Sequence, residues 1–120
     1  MATRELTEEE TTILHALREK HGDAKPLLVK GTFCVIRRAT RHEMEADRDA
    51  VTQSMKPARR GQEPPSYAAA RYKLGVSAWV YPEDKEERKR LLTEQGALAS
   101  RACDMAEAMA EDGIEELEGN

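Results

Sequence analysis

The sequence contains few aromatic residues: one Phe, one Trp and three Tyr make up 4% of its 120 residues. Seventeen alanines raise the hydrophobic fraction to 39%, but an alanine side chain buries little area. Because burial contributes about 25 cal/mol per Å² of apolar surface, the composition predicts a single domain with a thin core. A thin core competes narrowly with chain entropy, which favours stabilisation by a partner or by homo-oligomerisation.

Long apolar runs are also missing. The longest uncharged stretch, Leu74 to Pro82, has nine residues, whereas a membrane-spanning helix needs about 20. Charged residues between Arg4 and Glu10 stand where a secretion signal would have an apolar run. We therefore expect a cytoplasmic protein with no membrane partner.

Residue patterns for catalysis or metal binding are absent. The two cysteines, Cys34 and Cys103, are 69 positions apart with no CxxC motif, which favours two buried thiols over a zinc or redox site. The seven glycines are isolated, so no phosphate-binding loop is present. His15 and His21 are six residues apart, a poor spacing for two ligands on one helix face, and His42 is interpreted as a solvated surface residue. We expect no catalytic residue, no cofactor and no metal, and hence no enzyme.

Charge is unevenly distributed along the chain, which has a net charge of −4. Residues 37–73 hold nine Lys or Arg against five acids, and residues 104–120 hold seven acids and no base. The two regions could attract each other within one chain or between copies. The basic region lacks interleaved aromatics, and the sequence pI of 5.5 is far below the value of about 9 typical of nucleic-acid-binding domains, so no nucleic-acid partner is expected.

Capping and turn signals predict a mainly α (α+β) fold with four to five helices and one small β-hairpin in the N-terminal third. Thr7 with Glu10 and Thr40 with Glu43 have capping-box spacing. Gly31 separates two β-prone runs, as in a hairpin. The predicted helices cover 7–21, 40–55, 67–81 and 97–112, the hairpin covers 27–36, and a charged segment over 83–90 leads into Leu91 and Leu92. Residues 1–113 are expected to form one domain with a flexible loop at 57–66, followed by an acidic disordered tail at 114–120.

The third predicted helix is expected to be the central buried one. Its apolar stripe consists of Ala68, Tyr72, Val76 and Trp79. Gly75 inside this helix costs about 1 kcal/mol relative to alanine, which suggests a close approach of another helix or a local break.

The order of these parts resembles the small tail assembly chaperones of long-tailed bacteriophages. The resemblance covers about residues 10–113, and its motifs are short. It rests on Lys20-His21-Gly22 after the first helix, the hairpin, the capped helix that follows Arg37 and Arg38, the ending Val80-Tyr81-Pro82, Leu91-Leu92 with Gly96, and a last amphipathic helix.

The resemblance implies a non-enzymatic helper in the host bacterial cytoplasm. Such proteins coat the tape measure protein, recruit tail tube subunits and are absent from the finished virion. Two alternatives stay open: a structural or adaptor component retained in a phage or phage-like particle, and a small acidic inhibitor that mimics nucleic acid.

Methionines at helical spacing are candidates for a working surface. The pairs Met44/Met55 and Met105/Met109 are typical of core packing, but flexible, polarizable side chains also suit a pliable binding surface. If the chain is a chaperone, we expect its partner-binding seam on the last helix; the alternative is that this seam closes the chain's own core. The seam residues are Leu98, Ala102, Met105 and Met109.

Overall fold

The computed structural model describes residues 4–55 and 67–112. They form five helices and a three-stranded antiparallel sheet, which confirms the mainly α (α+β) prediction. The expected loop at 57–66 and the expected tail at 114–120 lie outside the described residues. The elements in chain order are α1 (Glu8–His21), β1 (Ala24–Val29), β2 (Thr32–Arg37), α2 (Arg41–Ser54), α3 (Tyr67–Ala78), β3 (Trp79–Tyr81), α4 (Lys85–Glu94) and α5 (Leu98–Glu111).

Both predicted capping boxes are present. At the start of α1, the Thr7 hydroxyl accepts from the Glu10 N–H while the Glu10 carboxylate accepts from the Thr7 N–H. Thr40 and Glu43 make the same exchange at the start of α2. Each box satisfies two N–H groups that a helix start would otherwise leave without partners, so the sequence defines both starts.

The predicted hairpin is confirmed, and a third strand extends it. Strands β1 and β2 pair antiparallel around Lys30 and Gly31, whose φ angles are +48° and +82°. The prediction that the third helix continues to Tyr81 is wrong, because α3 ends at Ala78 and β3 pairs with β2. Trp, Val and Tyr are strand-prone residues, and a free edge of β2 is available to them.

The principal core lies where α3 and α5 pack together against the sheet. Trp79 is 2% exposed, as predicted. The predicted α3 stripe is wrong, however, since Ala68 is exposed and Tyr72 is 53% exposed. The buried face of α3 instead carries Leu74, Gly75 and Ala78, because α5 approaches the small side chains most closely.

A second, smaller core lies between α1 and strands β1 and β2. Leu14 of α1 packs with Ala24, Phe33 and Val35. The Phe33 and Tyr81 rings lie 5.6 Å apart at a tilt of 55°, a favourable aromatic arrangement that links β2 to β3. In residues 4–55 and 67–112, we find no helix with the length and apolar character needed to cross a membrane.

Candidate protein-binding surface

The predicted seam of α5 lies inside the principal core. Leu98, Ala102 and Met109 are 4%, 0% and 1% exposed, and Met105 is partly buried against the same core. This burial follows from the packing of α5 on α3 and the sheet, and it favours the alternative in which the seam closes the chain's own core. Three of the four seam residues are therefore buried in the folded chain, and the partner-binding role of the seam stays a prediction.

The other methionine pair is divided between core and solvent. Met44 is partly buried and packs against the principal core, whereas Met55 is 80% exposed at the end of α2. Helical spacing alone did not separate these two environments. Core packing is the better interpretation for Met44.

An exposed aromatic side chain marks an open groove between α3 and α4. Tyr72 is one of three large apolar residues that are exposed in the described part of the chain, and its ring lines this groove. The groove has a volume of about 370 Å³. We call it the α3–α4 groove; its lining residues are Tyr72, Lys85, Arg88, Lys89, Leu92 and Thr93.

The α3–α4 groove combines an apolar floor with positive charge. Tyr72 and Leu92 provide the apolar surface, and the described residues that line the groove include three cationic side chains and no acidic one. Lys85 and Lys89 are exposed, so their charges are available at the rim. An apolar strip with a cationic rim suits a partner that presents apolar side chains beside carboxylates.

Arg88 fixes one wall of this groove. Its guanidinium donates hydrogen bonds to the carbonyl oxygens of Val76 (3.1 Å), Trp79 (2.6 Å) and Pro82 (3.1 Å). It also lies 4.3 Å from the centroid of the Trp79 ring, in cation–π geometry. Burial lowers the pKa of Arg88. The contacts hold α4 against the end of α3 and so set the width of the groove.

A second cleft lies between α2 and α3 and has mixed charge. Its volume is about 470 Å³, and its lining residues include His42, Glu43, Asp47 and Lys73. His42 is exposed, as the sequence predicted. Since acidic and basic groups are both present, this cleft shows less charge complementarity to one class of partner than the α3–α4 groove does.

Within the second cleft, Glu43 forms a bidentate salt bridge with Arg37. The Arg37 nitrogens lie 2.7 and 3.0 Å from the two carboxylate oxygens, and Arg37 also donates to the Ser77 carbonyl at 3.1 Å. Burial by itself raises the pKa of Glu43, but hydrogen bonds from Arg37 and the Thr40 N–H outweigh it and lower the pKa to about 2. The pair joins β2, α2 and α3.

Both cysteines are buried free thiols, as predicted. Burial raises the pKa of Cys34 to about 11. Burial and the neighbouring Glu107 carboxylate raise the pKa of Cys103 to about 12. Cys103 also lies near Asp47 and Glu107. The sequence did not predict this grouping, because Asp47 belongs to α2 and is far from Cys103 along the chain. The (i, i+4) spacing of Cys103 and Glu107 was the one available signal.

No protein-family model matches this chain, and no curated protein or solved structure matches it significantly.

Proposed function

We propose that this protein is a non-enzymatic assembly chaperone of a long-tailed bacteriophage, which binds the tape measure protein and tail tube subunits in the host cytoplasm. The order of sequence parts from the first helix to the last amphipathic helix supports this proposal. The structural observation that carries it is the α3–α4 groove, where Tyr72 is 53% exposed beside three cationic residues.

The chemistry of the groove favours an amphipathic helix with acidic flanks as its occupant. Aromatic residues are enriched at protein interfaces because they bury a large area with few rotatable bonds. Tyr72 and Leu92 would contact the apolar face of such a helix, while Lys85 and Lys89 would pair with its carboxylates. Covering the apolar face of an aggregation-prone helix keeps it in solution, which is the task of a chaperone.

The proposal is tested by co-expression of the full chain with a helical fragment of the tape measure protein from the same phage. The measured quantity is the fraction of the fragment that stays in solution. We expect the wild-type chain to keep the fragment soluble, and we expect Tyr72→Ala and Lys89→Glu to reduce the soluble fraction severalfold.

Two matched controls separate the groove from general surface effects. Met55→Ala removes an exposed apolar side chain outside the groove, and Lys20→Glu reverses an exposed charge near the end of α1. Both should hold the fragment in solution like the wild type, and circular dichroism should show all four variants folded. Groove variants that match these controls would contradict the assignment of the groove.

Analysis of finished particles tests the chaperone assignment itself. A chaperone leaves the assembly, whereas a structural or adaptor component stays in it. We expect mass spectrometry of purified particles to detect tape measure and tail tube proteins but not this chain. Its presence in stoichiometric amount would support the structural alternative instead.

A further inference from the structure

Asp47 of α2 and two residues of α5, Cys103 and Glu107, bring three metal-ligating atoms together. One carboxylate oxygen of Asp47, the Cys103 sulfur and one carboxylate oxygen of Glu107 all lie within 4.8 Å of one another. Cys103 and Glu107 are one helical turn apart, so they share a face of α5, and the Cys103 Sγ lies 3.0 Å from Glu107 Oε1. The cluster is sheltered, since Cys103 is fully buried and both acids are partly buried.

An unsatisfied carboxylate oxygen adjoins this cluster. Asp47 Oδ1 is buried and has no hydrogen-bond partner among the described residues, an arrangement that is unfavourable for a carboxylate and rare in folded proteins. Glu107 is better satisfied, because Arg71 contacts it at 3.3 Å, but Arg71 also binds Asp104. Arg71 therefore compensates the charge of Glu107 and Asp104, and a cation placed among the three ligand atoms would compensate the negative charge of Asp47.

We propose that Asp47, Cys103 and Glu107 bind a Zn²⁺ ion. Zinc accepts both thiolate and carboxylate ligands, at about 2.3 Å from sulfur and about 2.0–2.2 Å from oxygen. Ligand atoms around one tetrahedral zinc therefore lie about 3–4 Å apart; Cys103 Sγ and Glu107 Oε1 are 3.0 Å apart, and all three ligand atoms lie within 4.8 Å of one another. The thiolate disfavours Mg²⁺ and Ca²⁺, which prefer oxygen ligands. Binding replaces the Cys103 thiol proton with the metal and releases that proton to solvent, and water supplies the fourth ligand.

The ion would link α2, which contributes little to the apolar core, to α5, which contributes much. Helix α5 contributes several fully buried side chains, whereas no side chain described in α2 is fully buried. A bond from Asp47 through the metal to α5 would therefore fasten the peripheral helix to the central one. Because folding brings the three ligand residues together, bound Zn²⁺ should raise the melting temperature.

The thiolate ligand is tested on the full chain with Co²⁺, which has the same ligand preferences as Zn²⁺ and absorbs light. We expect near-ultraviolet charge-transfer absorption that saturates at one equivalent and is displaced by Zn²⁺. Cys103→Ser should abolish this absorption, while Cys34→Ser, which removes the other buried thiol, should retain it. Absence of the absorption in the wild type, or its loss in Cys34→Ser alone, would overturn the proposal.

The carboxylate ligands are tested by isosteric substitution, which also covers the case in which Cys103→Ser does not fold. Asp47→Asn and Glu107→Gln should each weaken Zn²⁺ binding at least about tenfold, measured by competition with a chromogenic chelator. Asp104→Asn is the matched control, because Asp104 shares Arg71 with Glu107 but lies outside the cluster. Zinc affinity that is unchanged in Asp47→Asn would refute the site.

Discussion

Gly75 of α3 packs directly against the backbone carbonyl of Ala99 in α5, and a Cβ atom at position 75 would collide with that carbonyl. Close helix approach is one of the two reasons that the sequence suggests for a glycine in this helix, and the structure confirms it. The neighbour is backbone rather than the end of a flexible side chain, so it cannot move aside without shifting α5. The contact therefore sets the distance between the two central helices.

Gly75→Ala should destabilise the protein by about 2 kcal/mol, because the cost of overpacking exceeds the gain of about 1 kcal/mol in helix propensity. Urea denaturation measures this difference. Gly96→Ala is the matched control, since a Cβ at position 96 meets no atom within 4 Å, and it should leave stability within about 0.5 kcal/mol of the wild type. Equal stability of the two variants would show that α3 and α5 can separate at no cost.

Arg88→Lys should lower the free energy of unfolding by about 2–3 kcal/mol, although the charge is kept. A lysine ammonium cannot reproduce the planar fork that donates to the carbonyl oxygens of Val76, Trp79 and Pro82. Thermal denaturation followed by Trp79 fluorescence reports both stability and the environment of the ring. Arg90→Lys provides the comparison, because Arg90 makes exposed ion pairs with Glu87 and Glu94 worth at most about 1 kcal/mol.

The stability supplied by Glu43 should depend on pH. Its pKa is about 2 in the folded chain and near 4.3 in an unfolded one, so the carboxylate stabilises the fold above about pH 4–5 and loses this effect as the pH falls toward 2. Glu43→Gln should therefore be less stable than the wild type at pH 7. The difference between their free energies of unfolding should become smaller between pH 5 and pH 2.5. Urea denaturation across this range measures this difference.

The control for this titration is Glu45→Gln. Glu45 pairs with Arg41 on the surface, where the two side chains are 57% and 93% exposed, so its removal should change stability little at any pH. A gap between Glu43→Gln and the wild type that stays constant from pH 7 to pH 2.5 would contradict the ionic role of Glu43.

Local signals in the sequence predicted the starts of α1 and α2 and the hairpin, because capping boxes and a glycine turn act over three or four residues. They did not predict β3, since Trp79 continues a helical stripe and pairs with Ile36, which is 43 positions away. The buried face of α3 was also mispredicted. Apolar spacing favoured Tyr72, whereas packing favoured the small residues Gly75 and Ala78 that allow α5 to approach.

The candidate site was harder to predict for the same reason. The α3–α4 groove depends on Arg88 binding the end of α3, and the Asp47–Cys103–Glu107 cluster depends on where α2 lies beside α5. Neither relationship leaves a pattern in one segment of the sequence. The last helix, in contrast, has a clear apolar seam in its sequence. This pattern did not predict the role of the seam, because it is equally compatible with a core and with a binding surface.

Replacement of Met109 distinguishes those two roles of the seam. Met109 is 1% exposed in the principal core, so Met109→Ala should cost about 2–5 kcal/mol through lost burial and the cavity that remains. Met55→Ala removes the same atoms from a side chain that is 80% exposed and should change stability by less than about 0.5 kcal/mol. Urea denaturation measures both. If Met109→Ala were as stable as Met55→Ala yet failed to keep a tape measure fragment in solution, the seam would be a binding surface, and the α3–α4 groove would lose its assigned role.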